Sequence, residues 1–189
     1  MSQPDLLDAA FNKQGNWQKK KLKNPKATVR LGTLFSGIGA VEHALKRLKL
    51  NTEIVFAGDI DPFVKEAYYA NYNINDSRWH DDITKFNAKK YKNKVDLLVG
   101  GSPCQSFSMA GRRGGLEDTR GTLFYDFVRV VNECKPKVFI FENVRGVLNH
   151  DHGNTWRVMR NVFNEIGYEF SYKILNSADY GIPQSRNRV

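Results

Sequence analysis

Cys104 stands in the run Gly101-Ser102-Pro103-Cys104-Gln105-Ser106-Phe107-Ser108, just past an apolar stretch and among glycines and polar side chains. A free cysteine is by default a small buried hydrophobe. A thiol after proline at the end of a strand, at the mouth of a cleft, is instead placed to act as a nucleophile. Cys134 supplies the contrast, because it precedes Lys135-Pro136 at a helix end with no acid or base around it, and reads as structural. A second reactive type is the carboxyl of Glu142 in Phe141-Glu142-Asn143-Val144. At the end of another apolar run it can carry a proton, or serve only as a surface or helix-capping acid. Arg186 and Arg188, in Gln184-Ser185-Arg186-Asn187-Arg188, share one face if their segment is extended. They suit a carboxylate, a phosphate or a base carbonyl, and equally plain surface charge.

A ligand site is indicated by Phe35-Ser36-Gly37-Ile38-Gly39, which follows an apolar run and opens a helical pattern. Glycines there let the backbone turn tightly and approach a ligand, and Ser36 is placed to help cap the helix. The third glycine of the dinucleotide fingerprint would fall at Glu42, and a carboxylate where pyrophosphate sits argues against NAD or FAD. Asp59 lies 22 residues after Gly37, where an acid accepts both ribose hydroxyls. A nucleoside cofactor without phosphates, such as S-adenosylmethionine, fits both facts. A tight strand–helix turn beside a solvent-exposed Asp59 is the plainer alternative.

The elements that must hold these groups alternate. Strands are expected over 29–35, 53–58, 95–99, 137–141 and 170–175. Helices are expected from the glycine turn to about Leu48, from Pro62 to about Asn71, and over 123–133 and 155–166. Alternation of this kind predicts an α/β fold, a parallel sheet with helices on both faces, and ligands beyond the carboxyl ends of the strands. The reactive residues fall at those ends. The connection over 100–121 exceeds the usual loop of about 4–6 residues, as functional loops do.

With 189 residues, 41% hydrophobic and 26% charged, the chain suits one globular domain plus a short extension. It lacks an apolar run of the roughly 20 residues that cross a bilayer, and a signal-peptide core. A membrane partner is therefore not expected, and both cysteines read as free thiols. The net charge is +9, with seven basic against two acidic side chains in residues 1–30. That bias fits a polyanionic partner, or a solvated tail. None of the four histidines has convincing metal-ligand spacing, so no metal is expected.

The ordered series Phe35-Ser36-Gly37-Ile38-Gly39, Gly101-Ser102-Pro103-Cys104-Gln105, Glu142-Asn143-Val144 and Gln184-Ser185-Arg186-Asn187-Arg188 resembles the cytosine-C5 DNA methyltransferase family of bacterial restriction-modification systems. Asp118-Thr119-Arg120-Gly121-Thr122-Leu123-Phe124 and Ala178-Asp179-Tyr180-Gly181-Ile182-Pro183 extend the match, which covers residues 29–189. The resemblance implies a Rossmann-like S-adenosylmethionine-dependent methyltransferase fold, incomplete at its C-terminus, with residues 1–28 as a basic extension. It further implies a cytoplasmic, bacterial or phage-encoded enzyme acting on double-stranded DNA, with S-adenosyl-L-homocysteine as product. The tRNA-methylating branch of the family and a non-catalytic nucleic-acid-binding subunit are the alternatives.

By that resemblance Cys104 adds to C6 of a flipped-out cytosine, Glu142 serves the N3 edge from a dry pocket that raises its pKa, and Arg186 and Arg188 hold the base carbonyl. Cofactor contacts are implied for Phe35, Ser36, Gly37, Ile38 and Gly39, for Asp59 on ribose and for Ile60 against adenine. They are also implied for Asp82 and Ile83 at the adenine edge, and for Gly101 and Pro103. Ile60 departs from the large aromatic usual in the family. Gln105, Ser108, Arg120, Asn143 and Val144 are the implied DNA or base contacts. Family members continue with a target-recognition region and two further motifs. A truncated chain, or one subunit completed by a second polypeptide, is therefore expected.

Overall fold

The computed structural model describes residues 24, 26–103 and 123–189. Cys104, Gln105, Ser108 and Arg120, with the extension over 1–23, lie outside the described residues. Four strands form one parallel sheet: β1 (Val29–Leu34), β2 (Thr52–Phe56), β3 (Leu97–Gly100) and β4 (Val138–Phe141), in the order β2-β1-β3-β4. The last four residues of β1 are buried one after another, which requires cover on both faces of the strand.

Each helix starts where local chemistry dictates. Helix α1 (Ala40–Arg47) begins after Gly39, held at φ 88°. Helix α2 (Pro62–Asn71) has proline at its first position and Asp61 as its cap, whose carboxylate accepts from Phe63 N at 2.8 Å and Val64 N at 3.4 Å. Helix α3 (Leu123–Cys134) buries Phe124, Phe127, Val128, Val130, Val131 and Cys134, the period of an amphipathic helix laid on a sheet. Helix α4 (Asn154–Glu165) adds Met159, Val162 and Phe163 to the same core. A smaller cluster under α2 joins Tyr68 to Ala57, Ile74 and Trp79.

The strand expected over 170–175 is corrected by the structure. Only β5 (Leu175–Asn176) is a strand, and it pairs antiparallel with β6 (Asn187–Arg188), not with the main sheet. An extended segment becomes a strand only where a neighbour completes its ladder. Here residues 168–173 face β4 across a cleft of about 520 Å³. Tyr172 stacks edge-on against Trp156 instead, and Val138 and Ile140 of β4 remain 55% and 51% exposed.

Candidate active site

Strand pairing sets the site. β3 and β4 are parallel neighbours in the register Gly100↔Phe141, and Glu142 N donates to Gly100 O at 3.0 Å. The next residues of the two strands, Gly101 and Glu142, are therefore in contact. A Cβ on Gly101 would lie 2.5 Å from Glu142 O and 2.6 Å from its Oε2, so glycine is what allows the close approach. Asn143 is 4% exposed, and its carboxamide donates to Ser102 O at 3.0 Å. Its side chain thus ties the two strand ends together. Val144 is partly exposed and bridges Arg188.

Glu142 is paired with Arg188, whose Nε lies 2.5 Å from Glu142 Oε1. The carboxylate side chain is 47% exposed, so the described residues do not enclose it in the dry pocket expected from the sequence. The expected arginine pair also separates. Arg188 turns to Glu142, whereas Arg186 is exposed and meets Asn176 Oδ1 only through its backbone N–H at 3.0 Å.

Beside these strand ends a pocket of about 220 Å³ opens at the carboxyl ends of β1 and β2. Of the sequence-derived cofactor residues, Phe35, Asp59, Ile60, Asp82, Ile83 and Pro103 line it. Ser36, Gly37, Ile38, Gly39 and Gly101 do not. The turn 35–39 is held in the left-handed region, at φ 53° for Phe35, 54° for Gly37 and 88° for Gly39. Only glycine reaches the last two without strain. Gly37 N donates to Asp59 Oδ2 at 3.0 Å, which fixes the carboxylate at the pocket wall.

Ser36 does not cap α1. Its hydroxyl accepts from Gly58 N at 2.9 Å and lies 2.9 Å from Thr33 Oγ1, cross-linking the turn to the end of β2. Glu42 also departs from its expected place. It is 4% exposed and points inward, accepting from Thr33 Oγ1 at 2.8 Å and Tyr68 OH at 2.7 Å. Its carboxylate does not face a ligand, so it excludes no pyrophosphate. Burial, and then Glu42, push the Tyr68 phenol far above its ordinary pKa, which keeps it a donor.

Sequence reasoning missed His80, Asp81, Phe86 and Leu123, which also line the pocket. Ala57 bridges Trp79 in parallel fashion, so residues 79–83 are carried alongside the end of β2. His80 stacks on Phe86 with ring centroids 3.8 Å apart. Burial, and then the charge of Lys90, lower its pKa to about 4, so the imidazole is neutral near pH 7. Asp82 Oδ1 accepts from Thr84 N and Oγ1, which holds that carboxyl below its usual range. The only available signal was the adjacency of His80 and Asp81 to Asp82.

The model of the C-5 cytosine-specific DNA methylase family matches residues 29–189. The chain belongs to that family. It is 47% identical over 161 residues to the orphan methyltransferase M.SPRI of Bacillus phage SPR, covering 85% of this chain and 36% of that protein. It is 42% identical to the type II methyltransferase M.HhaI of Haemophilus parahaemolyticus, covering 85% of this chain and 47% of that protein. Among solved structures it resembles S. pombe Dnmt2 methyltransferase, with a TM-score of 0.65, 26% identity, and coverage of 86% of this chain and 48% of that one. The chain thus spans less than half the length of these relatives. Among the described residues no helix is long and apolar enough to cross a membrane, and no group of three or more His, Cys, Asp or Glu is placed to hold a metal.

Proposed function

We propose that residues 29–189 carry the cofactor-binding and catalytic part of a DNA (cytosine-5-)-methyltransferase, with S-adenosylmethionine as methyl donor. The observation that supports it most is the position of the peptide leading to Cys104. Gly101 abuts Glu142, while Pro103 lines the pocket that holds Asp59. The described chain over 101–103 therefore runs between a nucleoside-sized pocket and a carboxyl group.

The pocket fits the cofactor's nucleoside half. Asp59 can accept two ribose hydroxyls, and Phe35, Ile83 and Phe86 supply apolar walls. When bound, the cofactor supplies an electrophilic methyl group. The protein's task is to make cytosine C5 nucleophilic. Addition of the Cys104 thiolate to C6 does so, because it breaks the C5–C6 double bond and leaves C5 enamine-like. Negative charge then develops at N3, where Glu142 delivers a proton, and Arg188 holds Glu142 in position. Loss of the C5 proton and elimination of the thiolate restore the ring and the enzyme.

Cytosine inside a duplex exposes neither C6 nor N3 to such groups, so the base must be turned out of the helix. Gln105, Ser108 and Arg120 belong to the 104–122 connection that would meet it. Reading of a target sequence is assigned to the part of such proteins that this chain does not match, whether covalently continuous or a second polypeptide. Trapping with 5-fluorocytosine-containing duplex DNA and S-adenosylmethionine tests the reading, because fluorine blocks loss from C5. A covalent adduct by mass spectrometry, lost in Cys104→Ser and kept in Cys134→Ser, is the expected result. An adduct that survives Cys104→Ser would overturn it. Cys134 is a fair control, being fully buried with its thiol pushed up to about 12 by burial.

A further inference from the structure

Arg129 lies in the middle of α3, outside the pocket, yet it binds the pocket's wall. Its Nη1 donates to Phe86 O at 2.7 Å and its Nη2 to Ile83 O at 2.5 Å. Both carbonyls belong to the loop whose Asp82, Ile83 and Phe86 side chains line the nucleoside pocket. The guanidinium is itself oriented by Asp126, with Nη2 3.0 Å and Nε 3.2 Å from Oδ1, and lies 3.5 Å from Glu133. Glu133 Oε2 in turn accepts from Ala88 N at 2.9 Å, so one helical face grips the loop at three points. Within the loop, Asp82's turn with Thr84, the Lys85 N→Asp82 O and Phe86 N→Ile83 O bonds, and an ion pair of the exposed Lys85 Nζ with Asp82 Oδ2 at 3.4 Å act locally.

We propose that Arg129 is a positioning residue that sets base specificity in the cofactor pocket, a proposal that rests on the assignment of Asp82 and Ile83 to the adenine edge. A carboxylate only accepts hydrogen bonds, so Asp82 can pair with a 6-amino group and must reject a 6-oxo group. That discrimination depends on the carboxylate standing within hydrogen-bond reach, and reach is set by the loop backbone. Arg129 fixes that backbone by two donations from the separate nitrogens of a rigid planar fork, which the single nitrogen of a lysine does not reproduce. The same helix begins at Leu123, which lines the pocket and receives the chain from the 104–122 connection. Arg129 therefore holds the adenine edge in register with the helix that anchors the reactive loop.

The test compares binding of S-adenosylhomocysteine with its 6-oxo analogue S-inosylhomocysteine, by titration calorimetry on the full chain. Wild type should prefer the adenine compound. Arg129→Met should reduce that preference by about tenfold, with Arg129→Lys between the two, since an acceptor-only carboxylate pairs with a 6-amino group and repels a 6-oxo group only while it is held in reach. Loss of stability alone lowers both affinities together and leaves the ratio unchanged. An unchanged ratio in a folded Arg129→Met protein overturns the proposal, and if that variant does not fold, an unchanged ratio in Arg129→Lys does so. Failure of the wild type to bind either compound would instead sink the methyltransferase reading, and this one with it.

Discussion

Arg188 Nε and Glu142 Oε1 are 2.5 Å apart, and the pair joins the end of β4 to β6. Arg188 is the more buried partner, 24% exposed against 47%, so the carboxyl is the more accessible of the two groups. Arg188→Ala should leave Glu142 unanchored and lower kcat by about 10²-fold, the low end for a displaced general acid, and Glu142→Gln should cost at least as much. Single-turnover methylation checks this, with Arg186→Ala expected to have the smaller effect.

Gly39 is required twice over. Its φ of 88° is strained for any other residue, and an added Cβ would lie 2.1 Å from Tyr72 Cε2. Gly39→Ala should destabilise the fold by about 2 kcal/mol. Pairing it with Tyr72→Ala should relieve the clash and not the backbone strain, so urea midpoints should recover only in part.

His80 makes stability depend on pH in a defined window. Its pKa is about 4 in the folded protein against the ordinary imidazole value of 6.5, so between these limits the unfolded chain binds a proton that the native one refuses. Stability should therefore rise with pH from about 4 to 6.5 and be flat above, with His80 contributing on the order of 2 kcal/mol. Urea unfolding of wild type and His80→Phe at pH 4.5 and 7 should show the slope shrinking in the variant, while Asp81 and Lys90 stay in place.

The exposed apolar residues of β4 should promote self-association. Val138→Lys with Ile140→Lys places charge on an open strand edge and should reduce light scattering at high concentration. The urea midpoint should shift by less than about 0.5 kcal/mol, because neither side chain is buried.

The first half of the molecule was legible because its signals are local. Pro62 and Asp61 start α2, and the run 29–35 is apolar enough to be a central strand. The buried stripe of α3 likewise carried its own period, from Leu123 to Cys134. The segment 170–175 was misread because an apolar run fixes a preference for extension, whereas a strand also needs a neighbour in hydrogen-bonding range. The roles of Glu42, Asn143 and Arg129 could not be read at all. Glu42 looked like a ligand-facing acid from its spacing, yet a partner 26 residues away, Tyr68, turns it inward. Arg129 meets its carbonyls across 43 and 46 residues, a separation no spacing rule spans.

The bond from Asn143 to Ser102 has an evolutionary corollary. It clamps the end of the strand that carries Glu142 to the backbone of Ser102, so the relation of these two strand ends is fixed before the long 104–122 connection begins. Substitutions and length changes in that connection can then accumulate without moving these two strand ends apart.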